Sequence, residues 1–425
     1  MSLFLDLCSL LLALIVVVLC IYTVRHYVFT VNRLFGRQRH PYVDVELAQW
    51  PHITVCIAAH NEEMVVAHAI DALLAGDYPR DRMTIIPLND RSTDRTAEIL
   101  DNYSAFYPEL IHPIHRKEGE PGKAAALQDA MPHVRGEVLI VFDADYLPGR
   151  SLLRQLVAPF FDPQVGAVMG RVVPLNVGSN LLTRMLDLER SAGYQVDQQA
   201  RMNLRLVPQY GGTVGGVRIR ALEHCGGWRS DTLTEDTDLT YRLLLCGWET
   251  VYQNRSECYE EVPEQWPVRI RQITRWSDGH NQALRDYALS ILGDGVLNPW
   301  QRLDGFLLLG VYAVAGMTLA GWILTLLLWY GGRPVAGFSA VLAVASYNTM
   351  GNFASFFEVA AAARLDGYRE RVRLLPLLLI GYLVTLIAVL RGLLPGRRTR
   401  NGQGRRTVVW DKTCRYRPED AVTEA

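Results

Sequence analysis

Residues 7–24 run for 18 positions without a charged side chain, long enough to cross a hydrocarbon layer as one helix. Arg25, Arg33, Arg37 and Arg39 follow the run, while Asp6 is the one charged residue before it. The positive-inside rule places the N-terminus outside and the next segment in the cytosol. A cleaved signal peptide is the competing reading, but no positive charge precedes the run and no small-residue cleavage site follows it. Residues 1–24 are therefore expected to be a membrane anchor, with a juxtamembrane segment over 25–49.

Three more apolar stretches lie near the other end, at 305–332, 334–357 and 374–390. The first two are separated by Arg333 alone and read as a hairpin of spanning helices. The third holds 17 uncharged residues, with Arg364, Arg369, Arg371 and Arg373 before it and six arginines from Arg391 to Arg406 after it. Both flanks favour the cytosol, so either this stretch is re-entrant or interfacial, or the charge rule fails here; a cytosolic tail over 396–425 is expected. Asn348, Asn352 and Glu358 are polar groups in or beside this apolar region, where exposure to lipid is costly. They line a polar conduit or bond one helix to another.

Between the apolar parts, 25–304 reads as an α/β domain. Short apolar strands are expected at 53–58, 84–88, 110–114 and 138–142, with helices at 62–74, 92–103 and 122–131. Such alternation predicts a Rossmann-like sheet covered by helices, with ligands at the carboxyl ends of the strands. Strand two runs into Asn89-Asp90-Arg91-Ser92, and strand four into Asp143-Ala144-Asp145. Two carboxylates one residue apart beyond an apolar strand suit a hard divalent cation that also holds phosphate oxygens. The plainer reading is a turn with a helix cap, which Ser92 would supply.

Lys and Arg total 43 against 44 Asp and Glu, which gives no basic excess for nucleic acid. With 49% hydrophobic residues the chain is too apolar to be disordered. The seven cysteines form no CxxC pair, so neither a disulfide framework nor a zinc site is expected. The stretch from Gly119 to Lys123 lacks the spacing of a P-loop, and that from Gly211 to Gly216 lacks the register of a dinucleotide fingerprint.

Thr234-Glu235-Asp236 precedes a helical pattern, and Asp236 there is either a cap or a general base near the metal. Pro267 opens an amphipathic stretch, 266–304, in which Arg269, Arg271 and Arg275 interleave with Trp276. Its arginines suit a leaving diphosphate and its Trp a sugar face, and the same pattern suits a membrane surface.

Taken in order, these residues resemble the membrane-embedded family 2 glycosyltransferases, the group of cellulose, hyaluronan, chitin and poly-N-acetylglucosamine synthases. The resemblance rests on Ala-His-Asn-Glu-Glu ending at Glu63, the run from Leu88 to Asp94, Gly122-Lys123 and the residues after them, and the Asp143–Asp145 pair. Glu235-Asp236 and the QxxRW pattern from Gln272 to Trp276 complete it. It implies a GT-A fold over 50–265, C-terminal membrane helices over 305–395, and inverting transfer from a nucleotide sugar, UDP-glucose or UDP-N-acetylglucosamine, with Mg²⁺ or Mn²⁺. By resemblance Asn61, Glu62, Asp90, Lys123 and Arg275 belong to the donor, Asp90 against the nucleobase. Asp143 and Asp145 hold its phosphates through the metal, and Asp236, with Glu235, is catalytic. Gly211, Gly212, Thr213, Gln272 and Trp276 belong to the acceptor. Trp410, Lys412, Thr413 and Arg415 resemble a gating segment.

Asn89 stands where the family often has a second Asp, the N-terminus offers one helix where hyaluronan synthases have more, and no cyclic-dinucleotide-binding domain fits in the tail. The expected activity is processive synthesis of a β-glycan passed across the plasma membrane. The alternative is transfer of one sugar to a membrane lipid, as in ceramide glucosyltransferases. A non-enzymatic membrane scaffold is the reading from another class.

Overall fold

The computed structural model describes residues 2–39, 49–349 and 355–393. Asn352 and the gating residues Trp410, Lys412, Thr413 and Arg415 lie outside them. Helix α1 (Ser2–Phe35) comes first and extends well past the uncharged run. A βα series follows: β1 (Ile53–Ala59), α2 (Val66–Leu74), β2 (Met83–Asp90), α3 (Thr96–Phe106), β3 (Ile114–Arg116), α4 (Lys123–Ala130) and β4 (Val138–Asp143). The third strand sits later than 110–114, because Ile111 makes only a single bridge to Ile85 and the ladder with β2 begins at Ile114.

These four strands are parallel, and β1 and β2 are buried throughout, as expected of strands covered on both faces. Alternation divides their side chains. Val55, Ile57, Ile85, Ile140 and Phe142 pack with Val66 and Ile70 on one face. Cys56, Ile86, Leu88, Leu139 and Val141 pack with Ala126 and Leu127 on the other.

The second half of the sheet is mixed. It contains β5 (Leu147–Pro148), α5 (Leu152–Val157), β6 (Val165–Pro174), α6 (Leu181–Ser191), a π-helical segment (Ala192–Gln198) and α7 (Gln199–Leu204). Then come β7 (Gly215–Arg218), α8 (Ile219–His224), α9 (Glu235–Leu245) and β8 (Glu249–Glu260). The strand order is β3-β2-β1-β4-β7-β6-β8-β5, with β7 antiparallel to both β4 and β6. A parallel βα half joined to a mixed half is a GT-A sheet. The reversal at β4–β7 places a crevice at the carboxyl end of β4.

The remaining elements are helical: α10 (Trp266–Gly293), α11 (Pro299–Leu309), α12 (Ala313–Tyr330), α13 (Ala336–Thr349), α14 (Phe356–Leu365) and α15 (Leu378–Leu393). The stretch 305–332 is therefore not one helix. Gly310 caps α11, and a Cβ there would lie 2.9 Å from the Tyr22 hydroxyl, which itself donates to the Leu307 carbonyl at 2.7 Å. Among the described residues three helices are long and apolar enough to cross a membrane: Ser2–Phe35, Ala313–Tyr330 and Glu370–Arg391. Leu12, Ile15 and Leu19 of α1 pack against Leu324, Leu328 and Leu342 of α12 and α13. Leu3, Leu10, Leu14, Ile323, Leu326 and Leu383 stay exposed, an apolar surface of the kind that meets lipid.

Glu358 and Asn348 of this region each join one helix to another. Glu358, fully buried, faces His26 Nδ1 at 3.0 Å and accepts from the Ser355 N–H. Asn348 accepts from the Tyr27 hydroxyl at 3.4 Å. Of the two readings of Asn348 and Glu358, the structure shows helix-to-helix bonding. Arg25 binds α1 to the sheet domain by pairing with Asp197 at 3.2 Å and Asp304 at 3.1 Å.

Candidate active site

Beyond the ends of β1 and β4 opens a cavity of about 360 Å³, walled by residues from both halves of the sheet, by α10 and α11, and by Tyr312 just before α12. Asp143 closes β4 in register with Ala58 of β1, and its N–H donates to Thr213 Oγ1 at 3.0 Å. Asp145 follows, 6% exposed and in the same wall. Lys123, at the start of α4, holds Asp143 Oδ1 at 2.5 Å and lies 4.0 Å from Glu235 Oε1. Burial lowers the affinity of this amine for its proton, but Asp143 and Glu235 outweigh it and raise the pKa, so Lys123 is a resident cation among carboxylates.

Asp90 works one layer behind the wall. One oxygen takes Arg116 at 2.7 Å and the other the Gly122 N–H at 3.1 Å, which fixes the residue before Lys123. It is 2% exposed and lies outside the cavity lining. Asn61 is similar: Oδ1 accepts from the Thr93 N–H at 2.7 Å, while Glu62, next to it, does line the cavity. Ser92 caps no helix. Its Oγ accepts from the Asn61 N–H, and α3 begins four residues later at Thr96.

Glu235 and Asp236 open α9 and line the cavity opposite Lys123. Thr234, not Asp236, is the cap position, and Asp236 Oδ1 accepts from the Thr237 N–H at 2.7 Å. Burial pushes the Asp236 carboxyl above the ordinary aspartate range, against the pull of the Thr237 N–H, Lys123 and Arg275. Glu235 is raised too, by burial first and then by Asp236, with Lys123 opposing. Two adjacent carboxyls that hold protons more tightly than usual suit proton transfer. Gly212, at φ +73°, passes so close that a Cβ would lie 3.0 Å from Asp236 Cβ; Gly211 and Thr213 line the cavity on either side of it.

Gln272, Arg275 and Trp276 of α10 also line the cavity. The Trp276 ring has two guanidiniums near it, Arg190 and Arg269, each 5.3 Å from its centroid. These arginines pair in turn with Glu260 at 2.6 Å and Glu189 at 2.5 Å. Trp276 thus holds charged neighbours in place, a task the sequence pattern did not suggest. Also unforeseen in the wall are Glu189, Arg190, Tyr194 and Asp197 from α6 and the π-helix, and Leu308 and Tyr312 where α11 meets α12. They belong to no motif; the π-helix, a feature frequent at functional sites, marks Tyr194 and Asp197 alone.

Elsewhere, His224, Cys225 and Cys246 gather with ligand atoms within 4.8 Å of one another, a juxtaposition hidden by their spacing. Here Trp248 Nε1 donates to His224 Nδ1 and Cys225 Sγ meets the Arg242 carbonyl, so these ligand atoms are already engaged.

A GT-A sheet with a carboxylate pair at the end of β4 and a buried acidic pair across the cavity defines the glycosyltransferase class. The chain belongs to glycosyltransferase-like family 2, which matches residues 51–279. It is 33% identical over 258 residues to a probable glycosyltransferase, YdaM, of Bacillus subtilis, covering 60% of each chain. It is 32% identical over 278 residues to a beta-monoglucosyldiacylglycerol synthase of Nostoc sp., covering 64% of this chain and 58% of that one. The chain therefore matches about 60% of the length of these relatives. The fold is also that of the mannosyltransferase PcManGT from Pyrobaculum calidifontis, solved with GDP-Man and Mn²⁺: TM-score 0.59, 20% identity, 92% of this chain and 99% of that one.

Proposed function

We propose that this protein transfers a single sugar from a nucleotide-sugar donor to a hydroxyl of a membrane lipid, with inversion at the anomeric carbon. The observation that carries the choice of acceptor is the pairing of Glu358 with His26 and of Asn348 with Tyr27. A glycan conduit would need such groups to face its lumen, whereas the cavity meets the apolar helices at Leu308 and Tyr312, where a lipid headgroup would enter. The similarity to the monoglucosyldiacylglycerol synthase supports the same reading.

Asp143 and Asp145 offer hard oxygen donors toward the cavity, and the ammonium of Lys123 beside Asp143 shows that this corner accommodates positive charge, so the residues fit Mg²⁺ or Mn²⁺. Such an ion, when bound, neutralises charge on the donor diphosphate. Asp236 takes the proton of the acceptor hydroxyl as its oxygen attacks the anomeric carbon from the face opposite the diphosphate. The bond from that carbon to the phosphate oxygen breaks, and the nucleoside diphosphate leaves against Arg275. Glu235 holds Lys123 beside the carboxylates, and Gly211, Gly212 and Thr213 shape the floor.

The reading is tested by giving purified full-length protein UDP-glucose or UDP-N-acetylglucosamine with Mg²⁺ or Mn²⁺, alone and with dioleoylglycerol, monooleoylglycerol or ceramide in micelles. Nucleotide release that depends on a lipid supports it. Release indifferent to every lipid contradicts it.

A further inference from the structure

Two guanidiniums flank the Trp276 ring, and each is capped by a carboxylate. Arg190 Nε lies 2.6 Å from Glu260 Oε1, and Arg269 Nη2 lies 2.5 Å from Glu189 Oε2. All four residues line the cavity, and none of their side chains is more than 21% exposed. Trp276 packs with Tyr312, and Arg269, Arg190 and Glu189 stand close enough to Tyr312 to act on it by charge. The pairs therefore occupy the end of the cavity that meets the apolar helices. Each is held from a second side. Glu260 Oε2 accepts from the hydroxyl of Tyr146, the neighbour of Asp145, at 2.5 Å, and Arg269 donates to Gln272 Oε1 at 2.8 Å. Among the described residues, the other cations of the wall are Lys123, beside Asp143, and Arg275.

An ion pair offers an incoming group little net charge, and its carboxylate repels a second anion. A phosphate brought against so sheltered a wall would lose its water without gaining an unpaired guanidinium at this end, which is costly. We infer that the Arg190–Glu260 and Arg269–Glu189 pairs select the acceptor by charge. An uncharged lipid headgroup, such as that of a diacylglycerol or a ceramide, is admitted, and a phosphate-bearing one is rejected. Glu260 and Glu189 act through the arginines they neutralise, so each is a positioning residue for specificity. This rests on the lipid-acceptor reading above and narrows it.

The test gives full-length protein in nonionic micelles either dioleoylglycerol or dioleoylphosphatidylglycerol. Both have a free hydroxyl, and only the second carries a phosphate. The wild type should favour the first by about tenfold or more in kcat/KM. E260Q keeps an oxygen for Tyr146 but leaves Arg190 unneutralised, so it should cut that preference about tenfold. Dioleoylphosphatidic acid should also raise the melting temperature of E260Q more than that of the wild type. R190Q/E260Q removes both charges and should restore the preference, which a merely structural role for Glu260 would not do. E189Q uncovers Arg269 and should act as E260Q does, which keeps the inference testable if E260Q does not fold. A wild type that uses both lipids equally overturns it. So does an E260Q or E189Q enzyme that discriminates as strongly as the wild type, or a double variant that stays permissive. If the wild type uses no lipid at all, the function proposed above fails, and the melts with phosphatidic acid still decide the charge reading. No larger rise in E260Q than in the wild type then overturns it.

Discussion

Gly279 of α10 lies against Thr234, the residue that precedes Glu235 and Asp236: a Cβ on Gly279 would fall 2.2 Å from Thr234 Cγ2 and 2.4 Å from its Oγ1. Such a distance admits no side chain, so the approach of α10 to the acidic pair depends on a hydrogen at this position. G279A should push Thr234 away and displace the carboxylates behind it. Shifts of this size at a reacting group cost up to about a hundredfold in rate. We expect kcat to fall by about ten- to a hundredfold while nucleotide affinity, read by thermal shift with the nucleoside diphosphate, is retained.

D236N should abolish transfer, with a loss of about 10²–10⁴ if the carboxylate is the general base. Donor affinity should survive, because Asp236 is expected on the acceptor side. A variant that transfers at the normal rate would refute the assignment.

The pH profile follows from the raised Asp236 carboxyl. A base must be unprotonated to act, and its pKa lies above the ordinary aspartate value of about 3.9. The acid limb of kcat/KM should therefore lie above that value, with the rate falling as pH drops through it. R275A removes a charge that lowers this pKa, so it should move the limb to higher pH.

His280 makes stability depend on pH. Its folded pKa of about 4 is below its ordinary value of 6.5. The unfolded chain then binds the extra proton first, so the contribution is complete above the unfolded value and is lost as pH falls from there toward the folded one. The shift corresponds to roughly 3 kcal/mol. Thermal melts of the wild type should steepen their decline across this window, and H280F should flatten that part of the curve.

R25M leaves Asp197 and Asp304 without one of their cations, in a network that Arg201 also enters at 3.0 Å from Asp197. Breaking a buried pair from one side costs about 3–5 kcal/mol. The variant should melt several degrees lower in detergent, and because Asp197 is in the cavity wall its activity should fall as well.

What could be read from the sequence was local. The strands before Asp90 and Asp143 declare themselves by short apolar runs that end in acids, since burial on both faces and a strand-end site each leave a contiguous mark. The Glu189–Arg269 and Arg190–Glu260 pairs leave none, because their partners are about 70 to 80 residues apart and ordinary in their own surroundings. The same holds for Glu358. Its sequence neighbourhood fits a conduit or a helix contact equally, and only His26, 332 residues away, decides between them. The stretch 305–332 misled for a related reason: apolarity alone does not reveal that Gly310 must break the helix to admit Tyr22.

The most direct test of the account is the size and anomeric form of the product. Full-length protein in micelles, supplied with a radiolabelled donor and monooleoylglycerol, should yield one lipid-soluble spot carrying a single β-linked sugar, and D236N should yield none. A long product sensitive to a glycan hydrolase, or an α-linked sugar on the lipid, would contradict it.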